Sequence, residues 1–233
     1  MDKAALKQQA AEKAVEFVES GMVVGLGHGS TTAFAIERIA QLLESGTLIN
    51  ILGIPCSRDV ERHATRLGIP LTALDKQPAI DLTIDGADEV DPQMQLIKGG
   101  GGALLREKVV ASVSRREVII VDESKLSSAL GTLFALPVEV LPFACAVERR
   151  FLETIGAAVS VRLAEDSREP FHTDQGNLIL DARFGPIDDV RRLAEALDGR
   201  PGIVGHGLFI DLATDLVVAS EAGVRHVRAG EDL

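Results

Sequence analysis

The sequence predicts an α/β fold, a parallel sheet with helices on both faces, joined to a smaller α+β layer. Three observations carry this. Short apolar runs alternate with helical stretches through the first half of the chain, a βαβ rhythm that requires a parallel sheet. Glycine-rich segments follow the ends of strand-like runs, where open α/β sheets place their ligands. Near residue 135 the order changes to strand, helix, strand, strand, helix.

The elements follow in order. Residues 4–18 carry Leu6, Ala10, Ala11, Ala14, Val15 and Val18 at helical spacing, closed by Gly21. Met22–Leu26 reads as a buried strand. After the turn GHGST, Thr32–Leu43 reads as a helix. Leu48–Ile54 is a strand, Arg58–Leu67 a helix, and Ile69–Leu74 and Asp81–Asp85 are strands. Ala103–Ser114 is a helix and Glu117–Val121 a strand. In the second part, Pro137–Leu141, Ala157–Leu163 and Leu178–Ala182 read as strands, with helices at Val147–Ile155 and Asp188–Leu197. The polar tract AEDSREPFHTDQG (164–176) reads as an exposed hairpin loop. Leu208–Leu212 and Asp215–Ala219 are strand-like and return to the first domain.

Composition narrows the function. The 233 residues suffice for a core without disulfides or metal. With 46% hydrophobic and 25% charged residues the balance is that of a globular chain, not a disordered one. No apolar run approaches the roughly 18 residues of a membrane span. The start, MDKAALKQQAAEK, lacks the apolar core of a signal peptide. Acids outnumber bases 35 to 24, for a net charge of -11, which argues against nucleic-acid binding. Cys56 and Cys145 stand far apart with no CxxC, which fits a reducing cytoplasm and no structural zinc. Trp and Tyr are absent, so a general acid must come from Asp, Glu, His, Lys or Cys.

Three clusters can carry chemistry. Gly25-Leu-Gly-His-Gly-Ser-Thr-Thr32 lies between a strand and a helix. Its glycines allow close backbone approach, and a helix N-terminus offers free N–H groups and partial positive charge. It is either a phosphate cradle or a tight turn with a hydroxyl N-cap. No Lys follows as in a P-loop. The next strand ends in Pro55-Cys56-Ser57, with no acid for a ribose hydroxyl, so a dinucleotide site is disfavoured. The second cluster, Asp81-Leu-Thr-Ile-Asp85-Gly-Ala-Asp88-Glu89-Val-Asp91, brings acids to a strand end. Acid/base work, a divalent cation site and an acidic turn stand level on spacing alone. The third is Lys98-Gly-Gly-Gly-Gly-Ala-Leu-Leu-Arg106-Glu107-Lys108. Four glycines are costly to order, which suits a backbone that hugs a ligand or lines an oxyanion hole. Glu107 is then either a reactive carboxylate or a solvent-facing residue of an amphipathic helix. Lys125, in Asp122-Glu-Ser-Lys125, follows a strand end and is either a phosphate contact or a surface lysine. His63, His172, His206 and His226 form no HxxxH or HExxH pattern. No GxSxG elbow is present, and Cys56 reads as a buried structural thiol.

In this order and spacing, GLGHGST (25–31), DLTIDGADEVD (81–91), KGGGGALLREK (98–108) and VDESKL (121–126) resemble the type A ribose-5-phosphate isomerases. PVEVLPFA (137–144), GNLILD (176–181) and PGIVGHGLF (201–209) match the later motifs of that family, so the resemblance spans nearly the whole chain. It implies interconversion of ribose 5-phosphate and ribulose 5-phosphate through an enediolate, in the pentose phosphate pathway. It implies Glu107 as the proton-transferring base. Asp85 and Asp88 would act in ring opening and hold sugar hydroxyls, with Gly86 and Ala87 beside them. Lys98 and the amides of Gly99, Gly100 and Gly101 would stabilise the enediolate oxygen. Ser30 and Thr31, with Gly29, Lys125 and Lys7, would bind the phosphate. No metal and no cofactor are expected. The family turn reads G-[TS]-G-S-T, whereas here His28 takes the Thr or Ser place; a backbone contact would survive the change and a hydroxyl contact would not.

The resemblance further implies a Rossmann-like domain of residues 1–132 and 206–233, with a smaller inserted ferredoxin-like α+β domain at 133–205. It implies a cytoplasmic homodimer or homotetramer acting on a small-molecule sugar phosphate, with neither nucleic acid nor membrane as partner. A sugar-phosphate sensor domain, an acyl-CoA transferase and a nucleotide-binding dehydrogenase are the competing readings. The first lacks a basic segment, the second would show itself with acyl-CoA, and the third lacks its ribose-binding acid.

Overall fold

A computed structural model describes residues 2–231. The chain forms two compact units: Met1–Ala87 with Arg106–Lys125 and Asp211–Leu233, and Asp88–Leu105 with Leu126–Ile210.

The first unit opens with α1 (Lys3–Val15), β1 (Val23–Leu26), α2 (Ser30–Glu44), β2 (Leu52–Pro55), α3 (Arg58–Arg66) and β3 (Leu82–Asp85). The second unit contributes β4 (Glu89–Val90) and β5 (Leu96–Ile97). Next come α4 (Leu104–Ser112) and β6 (Glu117–Asp122). β7 (Leu136–Val140), α5 (Cys145–Thr154), β8 (Ala158–Val161), β9 (Leu178–Arg183), α6 (Val190–Asp198), β10 (Ile203–His206) and β11 (Leu208–Phe209) belong to the second unit. β12 (Asp215–Ser220) and β13 (Gly223–Arg228) complete the first.

The first unit holds a six-stranded sheet, ordered β13-β12-β6-β3-β1-β2. All its pairs are parallel except β12–β13. The inner strands are mostly apolar, as a sheet covered on both faces demands: Val24, Leu26, Ile84, Val118, Ile120 and Val217 are buried in one core with Leu6, Ala10 and Ala14 of α1 and Ile36 and Ile39 of α2. Each large aliphatic side chain so buried contributes roughly 1.5–3 kcal/mol. Ser57 caps α3, its Oγ accepting the Val60 N–H at 3.1 Å.

In the second unit the order β7-α5-β8-β9-α6-β10 folds into an antiparallel sheet ordered β10-β7-β9-β8. That is the ferredoxin-like arrangement. Leu136, Val138, Leu180, Leu152 and Leu197 fill its core. A small antiparallel sheet, β11-β5-β4, stands beside it in the same unit.

The structure differs from the sequence reading in places. Residues 88–105, 126–132 and 206–210 group with the second unit rather than with the first. β5 pairs with β11, and Glu89 binds the backbone of residues 131–134, which ties these segments together. Ile69–Leu74 is not a strand: it makes a single parallel bridge, Leu71 to Gly53. Pro70 has no N–H for a ladder. Leu48–Ile54 is cut to a start at Leu52 because Asn50 takes a positive φ of 60°. Leu208–Leu212 ends at Phe209, two residues before Asp211 with φ 55°.

Candidate active site

In the first unit, β1 ends at Leu26 and α2 begins at Ser30. Gly29 turns the corner with φ 128°, a backbone that L side chains rarely adopt. Ser30 is exposed and Thr31 half-buried in the first turn of α2. The Lys7 ammonium donates to Ser30 Oγ at 2.8 Å, and Thr32 Oγ1 donates to the Gly29 carbonyl at 2.8 Å. An ammonium, hydroxyls and the positive end of a helix thus meet at one point, which is anion-binding chemistry. The His28 main-chain N–H donates to Asp85 Oδ1 at 3.1 Å, while its ring Nδ1 lies 3.0 Å from Ser57 Oγ. A cavity of about 240 Å³ beside the turn is lined by His28, Ser30, Asp59 and His63 among others.

Asp85 closes β3 and is 1% exposed. Its Oδ1 also accepts the Gly86 N–H at 2.7 Å. Glu107, on α4, is 4% exposed, and Cys56 is fully buried. One donor atom from each of Cys56, Asp85 and Glu107 lies within 4.8 Å of the other two. The register explains the convergence. β1 lies between β2 and β3, with Leu26 opposite both Pro55 and Ile84. Cys56 and Asp85 therefore leave the sheet on either side of Gly27. A Cβ at Gly27 would run into the Asp85 carboxylate. Proton transfer and cation ligation are both within the chemistry of two buried carboxylates and a thiol. Lys125 ends a 3-10 turn (Glu123–Lys125) directly after β6, half-buried. β6 runs parallel to β3, so Lys125 follows the same carboxyl end of the sheet.

In the second unit, Asp88 donates its N–H to the Ile97 carbonyl at 2.8 Å and accepts the Gly100 N–H on Oδ2 at 2.7 Å. Lys98 is buried, its N–H bound to the Gly207 carbonyl at 2.9 Å and its Nζ 5.3 Å from the Phe209 ring centre. The glycines have individual reasons. Gly99 and Gly102 take positive φ, 106° and 82°. A Cβ on Gly100 would stand 2.5 Å from Asp88 Oδ1. Arg162, just past β8, donates from Nη1 to the carbonyls of Gly99 at 2.6 Å and Gly100 at 3.0 Å. Its other edge is held by Asp181, through Nε at 3.0 Å and through Nη2.

The expected residues thus fall into two sets. The first unit brings Lys7, His28 and Ser30 around one turn and Asp85 against Glu107. The second brings Asp88, Lys98 and Gly99–Gly101 onto one loop. The sequence reading missed the approach of Cys56 to the acids, the bond from Ser57 to His28, and Arg162. Three of the four histidines outside the clusters have partners away from these two sets: Nε2 of His226 lies 2.6 Å from Asp215, Nε2 of His206 lies 3.1 Å from Asp198, and Nδ1 of His172 lies 3.3 Å from the Gly176 carbonyl.

A parallel sheet that presents a glycine turn opening a helix and buried carboxylates at its carboxyl end is the arrangement of α/β enzymes that act on small anionic ligands. Residues 52–223 match the family model described as ribose 5-phosphate isomerase A (phosphoriboisomerase A). The chain belongs to that family. It is 58% identical over 225 residues to the ribose-5-phosphate isomerase A of Desulfatibacillum aliphaticivorans, covering 97% of each chain. It is 58% identical over 225 residues to that of Chloroflexus aurantiacus, covering 97% and 94%. Among solved structures it resembles the ribose 5-phosphate isomerase from Plasmodium falciparum, with a TM-score of 0.93, 41% identity and coverage of 98% of this chain and 100% of that one. A D-ribose-5-phosphate isomerase in complex with phospho-erythronic acid gives a TM-score of 0.96 at 37% identity, over 98% and 100%.

Proposed function

We propose that the chain interconverts D-ribose 5-phosphate and D-ribulose 5-phosphate, with Glu107 as the base that moves a proton between C2 and C1. The single observation that carries this assignment is the Glu107 carboxylate, buried against Asp85 at the carboxyl end of the sheet, in a chain of the ribose 5-phosphate isomerase A family.

In the forward direction Glu107 takes the proton from C2 and returns it to C1, while the hydroxyl proton moves from O2 to O1. Every electron pair stays within the sugar, so the reaction balances without an external oxidant or reductant. Negative charge builds on oxygen in the enediolate, and amide N–H groups of Gly99, Gly100 and Gly101 with the Lys98 ammonium are suited to it. Asp85 and Asp88 hold sugar hydroxyls and assist ring opening, beside the backbone of Gly86 and Ala87. Ser30, Thr31, Lys7 and Lys125, with the backbone of Gly29 and the ring of His28, take the phosphate. The bond from Lys7 to Ser30 supports that grouping.

Phospho-erythronic acid, carried by a solved relative, is expected to compete with ribose 5-phosphate here. On the family resemblance we further propose a cytoplasmic homodimer or homotetramer. No helix among the described residues is long and apolar enough to cross a membrane.

The test is conversion of ribose 5-phosphate in the presence of a chelator, for wild type and Glu107→Gln. Wild-type turnover that falls by about 10²–10⁴-fold in the variant supports the assignment. Turnover that survives the substitution moves the base elsewhere.

A further inference from the structure

We propose that Arg162 is a positioning residue for the isomerisation: it fixes the peptide planes of the glycine turn so that one N–H holds Asp88 and the next is turned away from the guanidinium, toward the substrate. The inference rests on the assignment of Asp88 and the glycine amides to the sugar.

The Gly99 carbonyl and the Gly100 N–H belong to one trans peptide, and no cis bond occurs among the described residues. In such a unit C=O and N–H point in opposite directions. Arg162 Nη1 takes the Gly99 carbonyl at 2.6 Å, and the opposed N–H reaches Asp88 Oδ2 at 2.7 Å. The same Nη1 takes the Gly100 carbonyl at 3.0 Å, so the Gly101 N–H is turned away from the guanidinium. Gly101 is exposed. A run of glycines has no side chains with which to hold its own planes. The anchor must come from outside the run, and the arginine is itself anchored, through both Nε and Nη2, on Asp181.

The clamp also acts electrostatically. A cation on the carbonyl side of a peptide polarises it and strengthens its N–H as a donor. Two adjacent donors facing a developing oxyanion and the acid beside it would both gain. A lysine cannot substitute, since a point charge cannot grip two carbonyls and a carboxylate at fixed angles.

Arg162 also lines a cavity of about 540 Å³ with Gly100, Phe134, Ser160, Asp181 and Arg183. A small cation can therefore reach the place of a truncated side chain. The experiment is steady-state kinetics and thermal unfolding of Arg162→Ala, with and without millimolar guanidinium, with Glu107→Gln in parallel. The expected result is a fall in kcat of about tenfold or more with KM changed less than about threefold. Added guanidinium should restore part of kcat, and the unfolding midpoint should stay close to wild type. Wild-type kcat in Arg162→Ala overturns the proposal. So does a loss of kcat that follows the loss of folded protein and ignores guanidinium. If Arg162→Ala does not fold, Arg162→Lys carries the test: a folded lysine variant with depressed kcat supports the clamp, and one with wild-type kcat overturns it. Should Glu107→Gln keep its turnover, the base lies elsewhere, and the clamp is still judged by kcat and guanidinium rescue in Arg162→Ala. A dead Glu107→Gln beside a fully active Arg162→Ala removes the clamp alone.

Discussion

Ser57 Oγ accepts the N–H of Val60 at 3.1 Å and lies 3.0 Å from Nδ1 of His28, so one hydroxyl serves both the cap of α3 and the ring in the turn between β1 and α2. The His28 main-chain N–H meanwhile serves Asp85. Backbone and side chain of this residue therefore have separate tasks.

That separation can be measured. His28→Ala should raise KM for ribose 5-phosphate by about two- to tenfold, the loss of one polar contact. Because the backbone bond to Asp85 survives, kcat should stay within about twofold. Steady-state kinetics decide it; a collapse of kcat at unchanged KM would contradict the division.

Gly27 has room for no side chain. Gly27→Ala puts a methyl into the Asp85 carboxylate, and either the strand end or the acid must shift. Overpacking of this kind costs about 1–3 kcal/mol. The expected outcome is a lower unfolding midpoint together with a kcat reduced by about tenfold or more, since misplaced reacting groups are penalised steeply. A fully active Gly27→Ala enzyme would show that the carboxylate tolerates displacement.

Glu89 is fully buried, and its two oxygens accept the N–H groups of Gly131, Thr132, Leu133 and Phe134 at 3.0–3.1 Å. Glu89→Gln replaces one acceptor with a donor that faces N–H groups. A loss of about 2–4 kcal/mol follows from an unmatched buried group, which lowers the unfolding midpoint by roughly 4–16 °C in a chain of this size. Calorimetry that finds the two proteins equally stable would refute it.

Asp215 supplies a pH dependence of stability. Burial alone pushes its carboxyl up, but the Arg116 guanidinium at 2.7 and 2.8 Å, His226 and Thr214 hold it down at about 2, against the usual 3.8. A depressed carboxyl stabilises the fold above its unfolded value and loses that contribution as pH falls through its folded value. Wild type should therefore lead Asp215→Asn in stability at pH 7, and the gap should close between about pH 4 and pH 2. Denaturant unfolding across that range checks it; a gap that does not vary with pH contradicts it.

Much of the fold is legible in the sequence. The spacing of Leu6, Ala10, Ala11 and Ala14 announces α1, and the runs Met22–Leu26 and Glu117–Val121 announce the buried parallel strands β1 and β6. β4 and β5 are two residues long, too short for any periodicity to register, whereas β11 lies inside the strand-like run Leu208–Leu212. β13 was missed because it is a half-exposed edge strand, GVRHVR, that alternates little. Of the site, the acids and glycines stood out because their residue types are costly in ordinary loops. Cys56 did not, since its approach to Asp85 depends on the order of strands across the sheet rather than along the chain. Arg162 did not, since its targets are carbonyls about sixty residues earlier, which carry no side-chain signature at all.

The strand order has a consequence for biosynthesis. β12 lies between β6 and β13, yet it is translated only after residues 126–210, which belong to the second unit. Until then β6 keeps one edge of hydrogen-bonding groups open, on an apolar strand, while the ribosome makes some ninety residues that pair elsewhere. An edge of that kind is a template for a stray strand. A ribosome stalled before β12 would thus release a chain with a sticky flank, and chaperone demand should concentrate on that interval of translation.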